Sequence, residues 1–353
     1  MARPGSRSGR EPQAGPLVAG IELASGVVRV VTGRRERGRL RVLAAEQRPV
    51  RADAVVAGLV VDRDAVARAL AAALAGAERG GRVERLVLAL DGDDIRTFHL
   101  TTGFQRAVAT AAVTEGEMAR AAREATAEIG VLARATVADD GALRGIPTVH
   151  AREDLAGYVL DGRPLASLVG FQGRLVDVAA DVTVVPLVVS GAAQAVAPQG
   201  RAASVASGAH ALGRLLAASG VTDAAIVRLG PDVTSLTLLR GGRVAATRSF
   251  SLGRSEMLGR EREPDARTWS AAVLEALGDA ETPERWLLAG VPDGLRDLPH
   301  VLAAVAAERR GSPVDVAPLR ASDASRVVAD VPLGPDDLVA AGSAALAAMV
   351  VFG

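Results

Sequence analysis

The sequence predicts an α/β fold built from two related lobes. A strand–turn–strand unit over residues 17–31 occurs again over residues 225–239, and in both units β-forming residues flank a short turn-forming stretch. Strand-like and helix-like segments also alternate along the chain, which is typical of sheets covered by helices. With 353 residues, 49% of them hydrophobic, the chain is long enough to give each lobe its own core.

The composition excludes several classes of function. The 41 basic and 41 acidic residues cancel, so no net charge favours nucleic acid or an anionic membrane as a partner. All the basic residues are arginine and there is no cysteine, which excludes disulfides, thiolate metal sites and a cysteine nucleophile. The four histidines lie far apart without the spacing of a zinc site. We therefore expect no metal site.

Residues 1–15 are rich in Gly, Pro, Ser and Arg and predict a disordered tail, and residues 16–95 predict the first part of the first lobe. After the hairpin we expect a third strand near 40–48, a helix over 63–76 capped by Asp62, and a buried strand over 86–90. The tail lacks the apolar stretch of a signal peptide, and the longest apolar run is shorter than the ~20 residues of a membrane span. A cytoplasmic protein without an intrinsic membrane anchor is expected.

Residues 96–188 predict a small α+β module inserted into the first lobe. An extended segment is followed by a helix that Thr114 begins, with Glu117 completing a capping box, and that runs to about Ile129. Two strands near 156–160 and 175–185 follow. We expect an uncovered strand edge of this module to bind partners.

Residues 189–220 predict the closing helix of the first lobe, over 205–218, ended by a glycine at 220. Residues 221–353 predict a truncated second lobe. Its expected elements after the hairpin are a third strand over 243–252, a helix over 269–277, a strand over 286–290, a helix over 298–308, a short strand near 314–316 and a last helix over 338–348. Trp269 and Trp286 are expected in its core.

Several phrases, in order, resemble the bacterial cell-division actin homologue FtsA. They are Gly20–Ser25, Gly157–Gly162, Ile226–Leu239, Ser251–Gly253 and Leu288–Leu295. The resemblance covers most of residues 17–348 and implies an actin-like (ribonuclease H-like) fold with two phosphate-binding loops. The pilus-assembly protein PilM is similar in its outer parts, but the Asp161-Gly162 tract favours the division family.

The phosphate-binding loops depart from the FtsA pattern. Glu22 and Ala24 stand where the family has aspartate and glycine, and Arg228 stands where its second loop has aspartate. Pro231 removes a backbone N–H from a cradle made of such groups, and Asp232 adds an anion nearby. Only residues 254–285 remain where the family carries a subdomain above the nucleotide cleft.

Carrying the family's contacts over to matching positions leaves a vestigial ATP site without catalytic or metal-binding residues. Its members are Glu22, Ser25, Gly230, Thr234, Gly290 and Gly294. Arg228 is interpreted as one half of a structural ion pair inside the former site, or alternatively as an anion-binding residue. The acidic stretch 91–94 is interpreted as a turn, and the charged run 34–37 as a hairpin tip in solvent.

The resulting hypothesis is a non-catalytic, cofactor-free scaffold or adaptor related to FtsA, a degenerate ATPase that acts through protein contacts, with a homo-oligomer as one option. Its partners would be proteins of the division or pilus machinery, not nucleic acid. Two alternatives stay open. One is a conformational switch that still binds ATP and Mg²⁺, and the other is a PilM-like cytoplasmic adaptor that binds a short peptide in the inserted module.

Overall fold

The computed structural model describes residues 15–165, 167–257 and 262–349, so the tail predicted over residues 1–15 lies almost entirely outside the described residues. The strands are β1 Val18–Ala24, β2 Val27–Glu36, β3 Arg39–Pro49, β4 Val55–Val56, β5 Leu59–Val60, β6 Arg85–Leu90, β7 Arg96–Gln105, β8 Thr148–Leu160, β9 Arg163–Leu165, β10 Leu175–Pro186, β11 Ala202–Ser207, β12 Ala224–Leu229, β13 Thr234–Arg240, β14 Arg243–Phe250, β15 Arg285–Ala289, β16 Asp315–Pro318 and β17 Val327–Ala329. The helices are α1 Arg63–Ala77, α2 Glu115–Asp139, α3 Leu187–Val196, α4 Gly208–Ala218, α5 Arg254–Met257, α6 Arg262–Leu277, α7 Leu298–Arg310 and α8 Leu338–Ala347.

Two sheets share one strand order, which confirms the predicted duplication. The sheet of the first lobe has the strand order β11-β6-β1-β2-β3-β17. Written in the same direction, the sheet of the second lobe has the order β16-β15-β12-β13-β14, which matches the first five of those strands. In both sheets the first strand of the lobe is central, with its antiparallel hairpin on one side and parallel strands on the other. The carboxyl ends of the central strands β1 and β12 bring their side chains together in the cleft between the lobes.

Helices α4 and α8 fill the space between the two sheets. Helix α8 packs on β1 and β6 and also on α4, which in turn contacts β13 and β14. The contact between α8 and β1 requires a glycine, because a Cβ atom at Gly20 would lie 1.9 Å from the carbonyl oxygen of Ala340. Helices α6 and α7 cover the second sheet, where Trp269 and Trp286 are fully buried as expected.

The inserted module is a four-stranded sheet, in the order β7-β10-β8-β9, packed against α2. Thr114 caps α2 as predicted, accepting a hydrogen bond from the N–H of Glu117. The helix continues to Asp139 and not only to Ile129, because an alanine-rich buried face extends to Ala133. The predicted free strand edge is covered only in part: β9 has three residues including Pro164 and pairs with Tyr158–Leu160 of β8, and β14 of the second lobe lies alongside β7.

Other boundaries also differ from the predictions. The predicted helix over 205–218 is strand β11 followed by α4, because residues 202–207 pair in parallel with β6. Helix α3 was not predicted. The last part of the segment predicted as the second lobe packs on the first lobe, since strand β17 pairs with β3 and helix α8 packs on β1. In the part of the chain described, none of the helices combines the length and apolar character needed to cross a bilayer.

Candidate functional site: the cleft between the lobes

Glu22 and Arg228 occupy equivalent positions in the two lobes. Glu22 on β1 lies beside Ala89 of β6, and Arg228 on β12 lies beside Ala289 of β15. The duplicated fold therefore places one acidic and one basic side chain where the resemblance to FtsA implies two carboxylates. Opposite charges at equivalent positions attract each other across the cleft and have no need of a cation between them.

Arg228 joins the two lobes through two carboxylates. Its guanidinium donates to Glu22 Oε1, and its Nη1 lies 3.3 Å from Asp91 Oδ2. The second oxygen of Glu22 accepts a hydrogen bond of 3.0 Å from Arg29. The side chains of Arg228, Glu22 and Asp91 are only 13%, 3% and 10% exposed. Both oxygens of Glu22 are thus committed to arginines, and the ion pair expected for Arg228 is present.

Burial governs the protonation of this cluster. Burial works against the charge on Arg228, but the carboxylates of Glu22 and Asp91 outweigh it and raise the pKa of the guanidinium. Burial also raises the pKa of Asp91 to about 6, although Arg228 and the backbone N–H of Ala209, 2.9 Å away, oppose that rise. The net effect is a permanent cation between two carboxylates, one of which titrates near neutral pH.

The two hydroxyl groups assigned to the vestigial site have partners within the protein. Ser25 Oγ donates to the carbonyl oxygen of Ala52 at 2.8 Å. Thr234 is fully buried; its hydroxyl donates to the carbonyl oxygen of Leu252 and accepts a hydrogen bond from Trp269 Nε1. These bonds fix the second-lobe loop to the segment that follows β14 and to helix α6.

The second-lobe loop offers little to a phosphate. The N–H of Gly230 donates to the carbonyl oxygen of Val233, and Pro231 has no N–H to give. Asp232 Oδ2 accepts a 2.7 Å hydrogen bond from the N–H of Ala57 in the turn between β4 and β5. A second connection between the lobes therefore lies at the position where a phosphate cradle would be.

The remaining predicted members of the site, Gly290 and Gly294, lie near the end of β15. Gly290 has a positive φ of 78°, and a Cβ atom there would lie 2.3 Å from the carbonyl oxygen of Leu229. A glycine is needed at this point so that β15 can end against β12. Gly294 lies in a short 3₁₀ helix, residues 293–295, and does not line the cleft spaces described below.

Very little free space remains in the cleft. One cavity of about 20 Å³ borders Glu22, Asp91 and Arg228, and another of about 10 Å³ borders Arg29 and Gly290. Sites for small molecules usually enclose about 300–1,000 Å³, whereas a space of about 10–15 Å³ holds one water. Among the described residues no group of His, Asp or Glu is arranged to hold a metal ion. Both of these spaces are far smaller than a nucleotide.

Asp91 and Arg29 are members of the cluster that the sequence prediction did not include. Asp91 directly follows buried strand β6, and an acid at the carboxyl end of a central strand was the available signal. Arg29 lies opposite Glu22 in the register of β1 and β2, so the pairing of the hairpin is enough to place Arg29 beside Glu22.

A second buried polar cluster joins the inserted module to the first lobe. His210 of α4 is fully buried, and its Nε2 lies 3.7 Å from Asp181 and 3.9 Å from Asp154, both on module strands. Arg214 pairs with Asp181, which also accepts from His99, and Arg152 pairs with Asp154. Neither ring nitrogen of His210 has a hydrogen-bond partner among the described residues.

A cavity of about 570 Å³ lies on the inserted module and is open to solvent. The end of α2, the turn after it and the start of β8 line it, with Val137, Leu143 and Ile146 as apolar side chains, Arg134 and Arg144 as basic ones, and His150, whose pKa burial lowers. Exposed Leu187 and Val188 at the start of α3 lie next to it, since the N–H of Leu187 donates to the carbonyl oxygen of Pro147. We call this cavity and the adjacent apolar residues the module groove.

Comparison with known proteins supports the fold. No family model matches the chain, and no curated protein matches it. Among solved structures, one described as the PilM-PilN type IV pilus biogenesis complex has a TM-score of 0.56 at 18% identity, covering 96% of this chain and 100% of that one. The ethanolamine utilization protein EutJ from Carboxydothermus hydrogenoformans has a TM-score of 0.44 at 13% identity, covering 95% and 91%. A Bacteroides thetaiotaomicron protein described as having an actin-like ATPase fold has a TM-score of 0.42 at 10% identity, covering 86% and 90%. The chain has the actin-like ATPase fold, as the resemblance implied.

Proposed function

We propose that the protein is a non-catalytic actin-like adaptor of the pilus-assembly type, which works through protein contacts and not through nucleotide turnover. The observation that carries this proposal is the filled cleft, in which Arg228 pairs with Glu22 and Asp91. Phosphoryl transfer depends on positioned phosphates and metal electrostatics, and a buried guanidinium between the two carboxylates opposes both. A fold that keeps its shape without the chemistry is suited to a scaffold.

The pilus assignment is supported by the solved structure of the PilM-PilN complex, which matches over nearly the whole of both chains. The Asp161-Gly162 tract, which favoured the division family, has a local explanation. Both residues have positive φ and form the two-residue turn between β8 and β9, and the Asp161 carboxylate accepts from the N–H groups of Arg174 and Leu175. A hairpin turn of this kind does not distinguish the two families.

The partner surface that we propose is the module groove. It combines an apolar lining with the two arginines Arg134 and Arg144, and none of the described residues lining its cavity is acidic. Such a surface suits an extended segment of a cytoplasmic partner that carries apolar and acidic residues.

The experiment is co-purification of this protein with the relative of PilN encoded in the same genome. We expect a complex whose dissociation constant rises at least tenfold with Ile146→Asp or Arg144→Glu in the groove. Val108→Asp is the matched control, because Val108 is also an exposed apolar residue but lies beyond the opposite end of the module sheet. Unchanged affinity of both groove variants, or a stable complex with a cell-division protein in place of the PilN relative, would contradict the proposal.

A further inference from the structure

A second groove, which shares no lining residue with the module groove, lies at the tip of the β2–β3 hairpin. Its volume is about 160 Å³, and its lining is mostly apolar. Leu40, Leu215 and Leu346 form the floor and are at most 5% exposed, while Ala345, Ala348 and Met349 at the end of α8 form one wall. We call it the hairpin groove.

Four arginines surround the hairpin groove, and none of the described residues lining it is acidic. Arg35 and Arg39 are exposed and form no ion pair within the described residues. Arg326 is also exposed and uses only its Nε, which donates to the carbonyl oxygen of Ala218. The fourth, Arg214, pairs with Asp181. The charged run at 34–37 is therefore more than a solvated tip, since it contributes Arg35 to the rim of an apolar cavity.

We propose that the hairpin groove binds an extended segment of a protein partner in which one large apolar residue is flanked by aspartate or glutamate. A dry apolar cavity of about 150 Å³ is enough to bind benzene, so this groove has room for one aromatic or branched aliphatic side chain. Guanidinium groups bind carboxylates in a bidentate geometry, so the free rim arginines suit acidic neighbours of that anchor.

The shape of the groove favours a peptide over a lipid surface. Its three floor leucines are recessed below the arginine rim, so a protruding side chain reaches them and the plane of a membrane does not. Buried anchors of this kind, surrounded by polar contacts, contribute most of the binding energy in protein interfaces. This second site is independent of the module groove and goes beyond the function proposed above.

The test is selection of a displayed library of random dodecapeptides on the full chain, followed by fluorescence anisotropy of the enriched peptides. We expect sequences with one Phe, Leu or Ile beside Asp or Glu. Their dissociation constants should rise at least tenfold with the double variant Arg35→Glu/Arg39→Glu and also with Ala348→Phe, which fills the groove. The matched control, Arg63→Glu/Arg68→Glu, reverses two exposed arginines on α1 and should leave affinity unchanged.

Several results would overturn the proposal. One is enrichment without acidic residues, and another is equal binding to the wild type and both groove variants when thermal melts show that the variants are folded. Binding that appears only after removal of residues 350–353 would assign the groove to the chain's own segment. Tight binding of phosphatidylglycerol vesicles that depends on Arg35 and Arg39, without peptide enrichment, would assign it to a membrane.

Discussion

Arg228 is the residue on which the chemistry of the cleft depends. It stands where the resemblance to FtsA implies a carboxylate that helps to hold Mg²⁺, and it pairs with the two carboxylates that face it. A buried ion pair contributes modestly to stability as a pair, but removing one partner leaves the others charged and unpaired in a low-dielectric site. Because Arg228 belongs to the second lobe and Glu22 and Asp91 belong to the first, the cluster also connects the two lobes.

Replacing Arg228 by methionine should lower the free energy of unfolding by about 3 kcal/mol, because Glu22 and Asp91 lose their shared cation. Urea denaturation followed by circular dichroism measures this change. The double variant Arg228→Met/Glu22→Met should lose less than the sum of the single changes. Arg51→Met, which removes an exposed ion pair with Asp53, is the control and should lower the stability much less. Equal effects of Arg228→Met and Arg51→Met would show that the cluster is unimportant for stability.

Asp91 should make stability fall as the pH rises. Its folded pKa of about 6 lies above its ordinary value of 3.8, so the folded protein holds the proton more tightly. The stabilisation is complete below the ordinary value and is lost as the pH rises through the folded value. Asp91→Asn removes this loss, so unfolding curves from pH 4 to pH 7 should show the variant gaining stability relative to the wild type. A constant difference across that range would contradict the assignment.

The sequence identified part of this site. Glu22 and Arg228 could be predicted because each lies at the end of a hairpin strand that the repeat makes recognisable. Asp91 could not be assigned to the cluster, because its contact with Arg228 spans 137 positions and depends on how the lobes close. The hydrogen bonds of Ser25 and Thr234 could not be predicted either, since their hydroxyl groups donate to backbone carbonyls of other segments.

At the scale of elements, the junction between α4 and the inserted module is the most sensitive feature. Burial lowers the pKa of His210, and the positive charges of Arg214 and Arg152 lower it further. The carboxylates of Asp181 and Asp154 raise it, but by less. Because the folded pKa lies below the ordinary value of 6.5, the stabilisation is present above that pH and is lost as the pH falls below it. Acidification should therefore loosen the module before it unfolds the lobes.

Hydrogen exchange of β8 and β10, corrected for intrinsic rates, should be faster at pH 5.5 than at pH 7.5 in the wild type. The variant His210→Leu should show no such difference, because the titrating group is gone. His300→Leu changes an exposed histidine on α7 and serves as the control. If exchange in the module responds to pH equally in all three proteins, His210 is not the cause.

Elements with strong local signals were predicted well, and elements defined by tertiary pairing were not. Helix α1 begins after Asp62, whose side chain caps it as expected. The last three residues of strand β11, 205–207, were predicted as helix, because this alanine-rich sequence becomes a strand only by pairing with β6. Strand β17 has three residues and exists only because the chain returns to β3.

For the whole molecule, we predict that it does not form actin-type filaments driven by nucleotide. Of residues 254–285, α6 packs against the second sheet and α7, so the described part of this segment builds no subdomain above the cleft. A head-to-tail contact must present the same two complementary patches in every copy, and a stable one buries about 800 Å² per partner. Pelleting and electron microscopy with and without ATP–Mg²⁺ show whether filaments form. Nucleotide-dependent protofilaments would contradict the prediction.

The overall fold followed from the duplicated hairpin, but the closure of the two lobes did not. Closure is visible in contacts that span them, among which are Arg228 with Glu22 and Asp91, and Asp232 with the turn at Ala57. We propose that those contacts take the place of a nucleotide as the connection between the lobes.

Isothermal titration of the full chain with ATP and MgCl₂ tests that claim most directly. We predict no heat beyond that of dilution at 1 mM nucleotide, because the closed cleft leaves only about 20 Å³ beside Glu22 and Arg228. Arg228→Asp/Pro231→Gly, which restores a carboxylate and a backbone N–H, is the informative variant beside the wild type. Saturable binding to the wild type with a dissociation constant below about 1 mM, a free energy near −4 kcal/mol, that disappears with Glu22→Ala would contradict the account.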